Sequence, residues 1–595
     1  MFRAKASQGS LFETSMLLPE DKLRRLEQTW AGVFQTAALP LIDEEAFRGL
    51  YCANNGRPNK PVQTIVGLLL LKEMWDFTDE QALFNLDFNL AWQMALDLTP
   101  EEAHCCQKTL HNFRAKLMEN DRAKLLFEEM TAGVIEALGV QTEQQRLDST
   151  HIISNIAKLT RLGLFCETTR VFLGDLRKAW PTRFEEIPAG LRGRYFKEDG
   201  SDRLYGDARS SEARRRLSVC ARDVWRLVDR FRGDAEVKAM ASYGLLERLL
   251  KEQCEVHEEA SIETDAHDAS EGAAPVSPKA PKDISSASLQ SPHDADVTYS
   301  GHKGKGYEIQ VAETCGNEDK PEVITHVGVT RSCDSDDAET VPTVENLAER
   351  EIQPKELFTD TTYGSTENVM VCEELGTEVV SPVAGPKLEE SSEEDGRNAR
   401  KVTKADFDVD PKGESKTLCP AGQEAVRESR DAESGHVNAY FDGDICARCE
   451  HRDGCPAKAQ RDGTRVLRTT VQAAVLVRRR RYEATEAFRK RYAIRAGIEA
   501  TNSELKRAHG LGRLRIRGIL RVRVAVYLKA LACNVKRMVQ YMAKEAKKSQ
   551  TEAAEELSSV RSPLSALLVT RFSDRATSRC VFRIWAPIFT LTAAA

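Results

Sequence analysis

Apolar positions recur at three- and four-residue spacing from about residue 19 to 138, most clearly through QTIVGLLLLKEMWDFTDEQALFNL and KTLHNFRAKLMEN, which predicts a helical N-terminal region. The period then changes. RLDSTHIIS (146–154) is a short β-branched run broken by one acid and predicts a strand. Helical spacing returns from 157 to about 255. Residues 256–296 contain no aromatic and are rich in Ala, Ser, Pro, Asp and Glu, so a mobile loop is expected there. Beyond it, GYEIQVAET (306–314) and VITHVGVT (323–330) alternate as neighbouring strands, and TVENLAER reads as a helix. KELFTD (355–360) follows as a strand, STENVMVCEELG as a helix and TEVVSP as a strand. A final long helix runs through RYAIRAGIEATNSELK, preceded by a polar insertion at roughly 384–470 with no visible core. This succession predicts a mixed sheet flanked by helices, an α/β core interrupted twice.

With 595 residues, 41% of them hydrophobic, the chain has ample material for a buried core. Its net charge of -7 conceals an asymmetry, because residues 461–550 hold 24 Lys/Arg against 6 Asp/Glu. That basic block points to nucleic acid or an acidic surface. The best apolar run, IVGLLLL (65–71), is too short to span a bilayer, and no secretory signal opens the chain, so a cytosolic, nucleoid-associated protein is expected. Fifteen cysteines in such a chain favour free thiols and a metal site over disulfides.

Three acids stand at meaningful places. Asp148 lies inside an apolar strand, where a charge is costly unless paired or bound to a cation. Asp360 lies at the carboxyl end of a strand, where sites in α/β folds collect. On a single continuous helix, Tyr492, Arg495, Glu499 and Lys506 fall within an arc of roughly 60°, and Glu504 points away. From the helix alone, a solvated face with an Arg495–Glu499 ion pair is the simpler account. If the three elements converge, the carboxylates form an oxygen-rich cluster suited to Mg²⁺. Two such ions would serve an in-line phosphoryl displacement.

LDSTHI, GHKGKGYEIQVAET, LFTDTTYGSTEN and the spacing Y-x2-R-x3-E-x6-K (Tyr492, Arg495, Glu499, Lys506) together resemble the bacterial insertion-sequence transposases of the DDE superfamily, over roughly residues 15–545. The resemblance implies a ribonuclease-H-like catalytic core with Asp148, Asp360 and Glu499 as metal-binding triad. Two Mg²⁺ (or Mn²⁺) ions would be its cofactors. Tyr492, Arg495 and Lys506 would contact DNA near the cleavage point. The implied partners are double-stranded DNA, both the element's terminal inverted repeats and target DNA, and further copies of the chain as a homodimer or higher oligomer. The implied organisation is a helical N-terminal DNA-binding domain (1–140), a core (141–545) carrying insertions at about 157–296 and 384–470, and a tail (546–595) expected to be poorly ordered. The competing readings are a catalytically inactive DNA-binding regulator and a structure-specific nuclease.

Other residues have simpler expectations. Asp334, Asp336 and Asp337 precede a helix and read as N-terminal capping residues. Glu367 and Asn368 read likewise. His151 is expected to pack or hydrogen-bond, and Lys303 and Lys305 to serve a turn, with phosphate contact as a second role. Cys419, Cys446, Cys449 and Cys455 offer four thiolates to a structural Zn²⁺, with free thiols an equal alternative. GRPNKP (56–61) with the helices after it reads as a helix-turn-helix-like DNA reader or a packing unit.

Overall fold

The computed structural model describes residues 1–5, 18–52, 56, 58–196, 210–257, 275–385 and 402–561. Contacts divide the chain into Met1–Tyr541 and Met542–Ala595. Of the second unit, the described residues are helical. Its tail from 562, expected to be poorly ordered, lies outside the described residues, as do 258–274 of the expected loop and 386–401 of the second insertion.

The first unit is built around one mixed sheet. Its strands are β1 (Gln144–Ile152), β4 (Thr298–Ser300), β5 (Gly304–Thr314), β6 (Ile324–Arg331), β7 (Glu356–Phe358) and β8 (Glu378–Val380), while β2 (Cys254–Val256) and β3 (Val276–Pro278) pair separately. β5 lies antiparallel to β1, β4 and β6; β7 lies parallel to β1, and β8 parallel to β7. β5 is paired along both edges, and its burial throughout Gly306–Thr314 shows that layers cover both faces of the sheet there. The helices Thr340–Glu349 and Thr366–Glu374 make the crossovers that parallel strands require. One face packs Leu147, Leu357 and Val379 against Val344, Val369 and Cys372 of those helices. The other packs Phe358, Val380 and Cys315 against Phe488 and Tyr492.

The N-terminal region is helical, as its period predicts. The Val62–Met74 helix is buried on every side except Gln63, so it is a packing element and cannot enter a DNA groove. Its end is clamped to the C-terminal part of the unit. The buried Lys529 ammonium donates to Glu73 at 2.6 Å and to the His509 carbonyl at 2.5 Å. The helix Ile519–Arg561 is locked to the sheet edge by Asn534, which exchanges two 2.8 Å hydrogen bonds with the Ile324 backbone. Among the described residues, no helix is long and apolar enough to cross a membrane.

Two expectations about the insertions are overturned. Residues 275–296 are not a mobile loop: Leu289 is fully buried, Arg248 donates to the carbonyls of Ala287 and Ala295, and Asp294 accepts from Ser154 and Tyr307. Polar composition misled because this segment is ordered by side-chain hydrogen bonds to its backbone rather than by large apolar residues. The second insertion, polar in composition, has a core of its own. β9 (Arg427–Arg430), β10 (His436–Phe441), β11 (Lys458–Ala459) and β12 (Arg465–Thr470) form a sheet in the order β11-β12-β10-β9. Its inner face buries Val437, Ala439, Phe441 and Leu467 with Phe407. The two-residue alternation of HVNAYF halves the apolar count of a strand buried on one face only.

Candidate functional site

Asp148 sits in the middle of β1, opposite Val311 of β5. Arg495 donates to its Oδ1 at 2.8 Å and Asn502 to its Oδ2 at 3.2 Å, so both oxygens are engaged. The same Arg495 guanidinium stands 3.4 Å from Glu499, in the first turn of the Ile498–Arg507 helix. The expected i,i+4 pair is thus present, but the arginine's shorter contact is to the strand acid. Asp360 follows the end of β7 by two residues and its Oδ1 accepts from the Thr362 and Tyr363 amides at 2.8 and 3.4 Å. Burial raises the Asp148 pKa above the usual aspartate value; the Asp360 charge adds to this, and Arg495 and Lys303 oppose it. Asp148 and Arg495 are 14% and 17% exposed, whereas Glu499 is 71% exposed and reaches solvent. Two of the acids, Asp148 and Glu499, therefore meet at one guanidinium, and Asp360 lies near enough to act on the Asp148 charge.

The continuous helix expected through these residues is not observed. A helix Glu486–Tyr492, a 3-10 segment Ala493–Gly497 and the helix Ile498–Arg507 follow one another. The cause is Arg146 of β1. It is held by the buried Glu313 carboxylate at 2.7 Å and donates at 2.8 Å to the Ile494 carbonyl. Its guanidinium lies so close to Gly497 that a Cβ there would stand 1.9 Å from Nη1. The opposite side of Glu313 accepts from Thr501 at 2.5 Å, fastening the next helix to the same anchor.

The break separates the expected face. Tyr492 belongs to the preceding helix, stacks on Phe488 with ring centroids 5.3 Å apart, and donates at 3.0 Å to the carbonyl of Thr359, the residue before Asp360. Lys506 remains two turns from Glu499 on one helix. Its ammonium has no hydrogen-bond or ion-pair partner among the described residues, and burial lowers its pKa while Glu308 and Asp148 oppose that. Glu504 points away, as expected, and pairs with Arg537 at 2.7 Å.

Alternate residues of β1 point to the other face of the sheet, and there a second polar group lies that the sequence did not announce. Ser149 donates to Asp336 at 3.0 Å, and Gln310, its cross-strand partner, donates to the same carboxylate at 2.9 Å. Capping is therefore not the role of Asp336: no side chain caps the 3-10 turn it opens, because its carboxylate is turned to the sheet. Lys303 donates to Glu308 at 2.6 Å and Ser149 at 3.1 Å and stands 3.5 Å from Asp336, so its charge is taken up within the protein. Burial acts against the Glu308 charge, yet His151 and Lys303 hold its pKa below the usual carboxylate value. Lys305 donates to the Leu159 carbonyl. Asn368 donates to the Asp337 and Tyr363 carbonyls and the Thr340 hydroxyl rather than capping, and Ser365 is the cap.

Every cysteine among the described residues is a free thiol. Cys419, Cys446, Cys449 and Cys455 line one cavity of about 30 Å³ beside Phe407 and Phe441. Burial raises the Cys446 pKa, and the other three thiols add to it. The four sulfurs are not drawn as close as metal ligands; among the described residues the group whose ligand atoms lie within 4.8 Å of one another is Glu504, His509 and Cys533, where Glu504 is already committed to Arg537.

Residues 418–539 match the family model described as Transposase DDE domain, and residues 20–116 match the Transposase domain (DUF772). The first match contains Arg495, Glu499 and the four cysteines and begins beyond Asp148 and Asp360. No curated protein and no solved structure matches the chain. The chain thus carries a region similar to a transposase domain near its start and one similar to a transposase DDE domain around the Glu499 helix, and the two together support an insertion-sequence DDE transposase.

Proposed function

We propose that the protein is a transposase that cleaves the ends of an insertion sequence and joins them to target DNA, with Asp148, Asp360 and Glu499 as its metal-binding acids on a ribonuclease-H-like core. The observation that carries this reading is the meeting of Asp148 and Glu499 at Arg495, with Asp360 near enough to raise the Asp148 pKa. A buried carboxylate destabilised by a second one, in an all-oxygen donor set, fits a hard divalent cation. Two bound Mg²⁺ or Mn²⁺ ions would supply activation of the attacking oxygen and stabilisation of the leaving one.

The chain's own residues have separate tasks. Arg495 neutralises Asp148 in the free protein and turns to a DNA phosphate when the acids acquire another cation. Asn502 keeps Asp148 oriented through that exchange, since its bond to Oδ2 does not depend on the charge of the partner. Lys506, half-buried beside the acids and without a partner among the described residues, offers a second phosphate contact. Tyr492 fixes the strand end that carries Asp360, because its hydroxyl is tied to the Thr359 carbonyl. The protein works as a homodimer or larger assembly on paired ends. A structural Zn²⁺ held by Cys419, Cys446, Cys449 and Cys455 would suit the small core of the second insertion, where a soft four-sulfur set surrounds one cavity.

The test is single-turnover cleavage of a duplex carrying the inverted repeats that flank the gene, with and without Mg²⁺, followed by strand transfer into a plasmid. End-specific nicking and joining that vanish in Asp148→Asn support the proposal. Binding without nicking would make the protein a regulator, and cutting of branched DNA without end preference would make it a structure-specific nuclease.

A further inference from the structure

The stretch HGLGRLRIRG, which joins the Ile498–Arg507 helix to the long helix beginning at Ile519, is neither helix nor loose loop. Gly510 and Gly518 take left-handed φ of +61° and +86°, and between them the chain turns at Leu511–Gly512, bridges to the continuation of β1 at Arg513 and bends at Arg515. The pairing is parallel: Ile153 donates to Gly512, Leu514 to Ile153 and Asn155 to Ile516, at 3.2, 2.8 and 2.9 Å. Leu511 and Leu514 point inward and are buried. Arg513, Arg515 and Arg517 are all exposed and alternate with Leu514 and Ile516. The three arginines are thus exposed at every second position of a segment pinned to the continuation of β1 by backbone hydrogen bonds.

This row is held in place. Arg515 donates to the Asp76 carboxylate and carbonyl at 3.1 Å, yet its side chain is still 55% exposed. Arg517 donates to the Asn155 carbonyl at 2.5 Å. Gly510 is obligatory, since a Cβ there would meet the Asp76 carboxylate at 2.4 Å. Arg513 has no hydrogen-bond or ion-pair partner among the described residues. Nearby acids do not cancel the row: Asp76 is shared with Lys529, Asp296 caps the Ile519 amide, and residues 505–544 contain eleven Lys/Arg and no Asp or Glu. The row also connects to the acids. Gly512 lies against the Lys506 stem, its Cβ position 3.6 Å from Cγ, and Ile153 follows Asp148 by five residues along the same strand.

We propose that Arg513, Arg515 and Arg517 form a phosphate-tracking row that grips the backbone of the DNA leading away from the cleavage point. This rests on the DNA-processing reading above and assigns it a substrate-holding surface. A rigid row of exposed guanidiniums on paired backbone exchanges counterions for phosphates without ordering flexible side-chain carriers first, and it reads charge rather than sequence.

The experiment compares full-length wild-type protein with Arg513→Gln, Arg517→Gln and the double variant on an end-bearing duplex. Equilibrium binding is followed over a salt series, beside single-turnover cleavage at saturating DNA. The expected result is a salt slope lowered by about 0.9 for each arginine removed. Arg513→Lys and Arg517→Lys keep the slope, which separates charge from a structural role. Variants that bind with wild-type slope while the wild-type protein binds and cleaves would overturn the row and leave the transposase reading standing. A wild-type protein showing no salt-dependent DNA binding would overturn both.

Discussion

Arg495 donates to Asp148 across 2.8 Å from a segment 347 residues further along the chain. The arginine thus occupies a carboxylate oxygen that the proposed function gives to a divalent ion. On that proposal, cation exchange at Asp148 would link metal binding, DNA binding and stability, and several measurements test it.

Divalent ions should raise the melting temperature of the wild-type protein and leave that of Asp148→Asn unmoved. The metal-free pH dependence has a definite sign. Burial raises the Asp148 pKa in the folded state, so the native protein holds this proton more tightly than the unfolded chain. Its stabilising contribution is present below the unfolded value, about 3.9, and is lost as pH rises from there through the raised folded value. The stability of metal-free wild type relative to Asp148→Asn should therefore fall across that window. A difference that grows with pH would contradict the burial argument.

Arg495→Ala removes a competing cation. It should bind Mn²⁺ more tightly in calorimetric titration, yet cleave more slowly at saturating DNA, because a phosphate loses its alignment. Raising Mg²⁺ should not restore the rate. Unchanged Mn²⁺ affinity would mean that the arginine and the metal do not compete.

Glu499→Gln and Glu504→Gln should separate chemistry from stability. Glu499 is largely exposed and makes one long contact, so its replacement should abolish cleavage and leave the melting temperature within about a degree or two, as expected for surface changes near ±0.5 kcal/mol. Sequence position alone makes Glu504→Gln mild, but Glu504 neutralises an Arg537 that is 14% exposed. Weakening that pair should cost roughly 1–3 kcal/mol of stability. Denaturant unfolding of both variants decides between these assignments.

Gly497→Ala tests the helix break. Its methyl group would collide with the Arg146 guanidinium, which Glu313 prevents from retreating. Overpacking of this kind costs about 1–3 kcal/mol, and the shift of Arg495 and Glu499 should slow cleavage as well. Wild-type stability and rate would show that the close approach is not needed.

Purified protein should contain about one equivalent of zinc by elemental analysis, as one four-thiolate site requires. Cys446→Ser should lower that content and destabilise the second insertion while leaving cleavage at low temperature intact. Metal-free protein of unchanged stability would remove zinc from the account.

The sequence by itself determined the succession of strands and crossover helices and singled out Asp148 and Asp360 as candidate acids, Glu499 being added by the family resemblance. Both are local signals: hydrophobic period reports which faces are covered, and an acid in or at the end of an apolar strand stands out against its neighbours. What only the tertiary structure decided are relations between distant segments. The break at Gly497 depends on Arg146, whose guanidinium arrives from β1 and draws the Ile494 carbonyl out of the helical ladder. Tyr492, alike in spacing to Arg495, turns to Thr359 because that break rotates it away. Asp336 reads as a cap until Ser149 and Gln310 present it with donors from two strands. The core of the second insertion stays hidden because a sheet buried on one face needs only every second residue to be apolar. Periodicity records burial, whereas the partner of a charged side chain is fixed by whichever remote group lies within hydrogen-bond reach, and one-dimensional spacing does not carry that information.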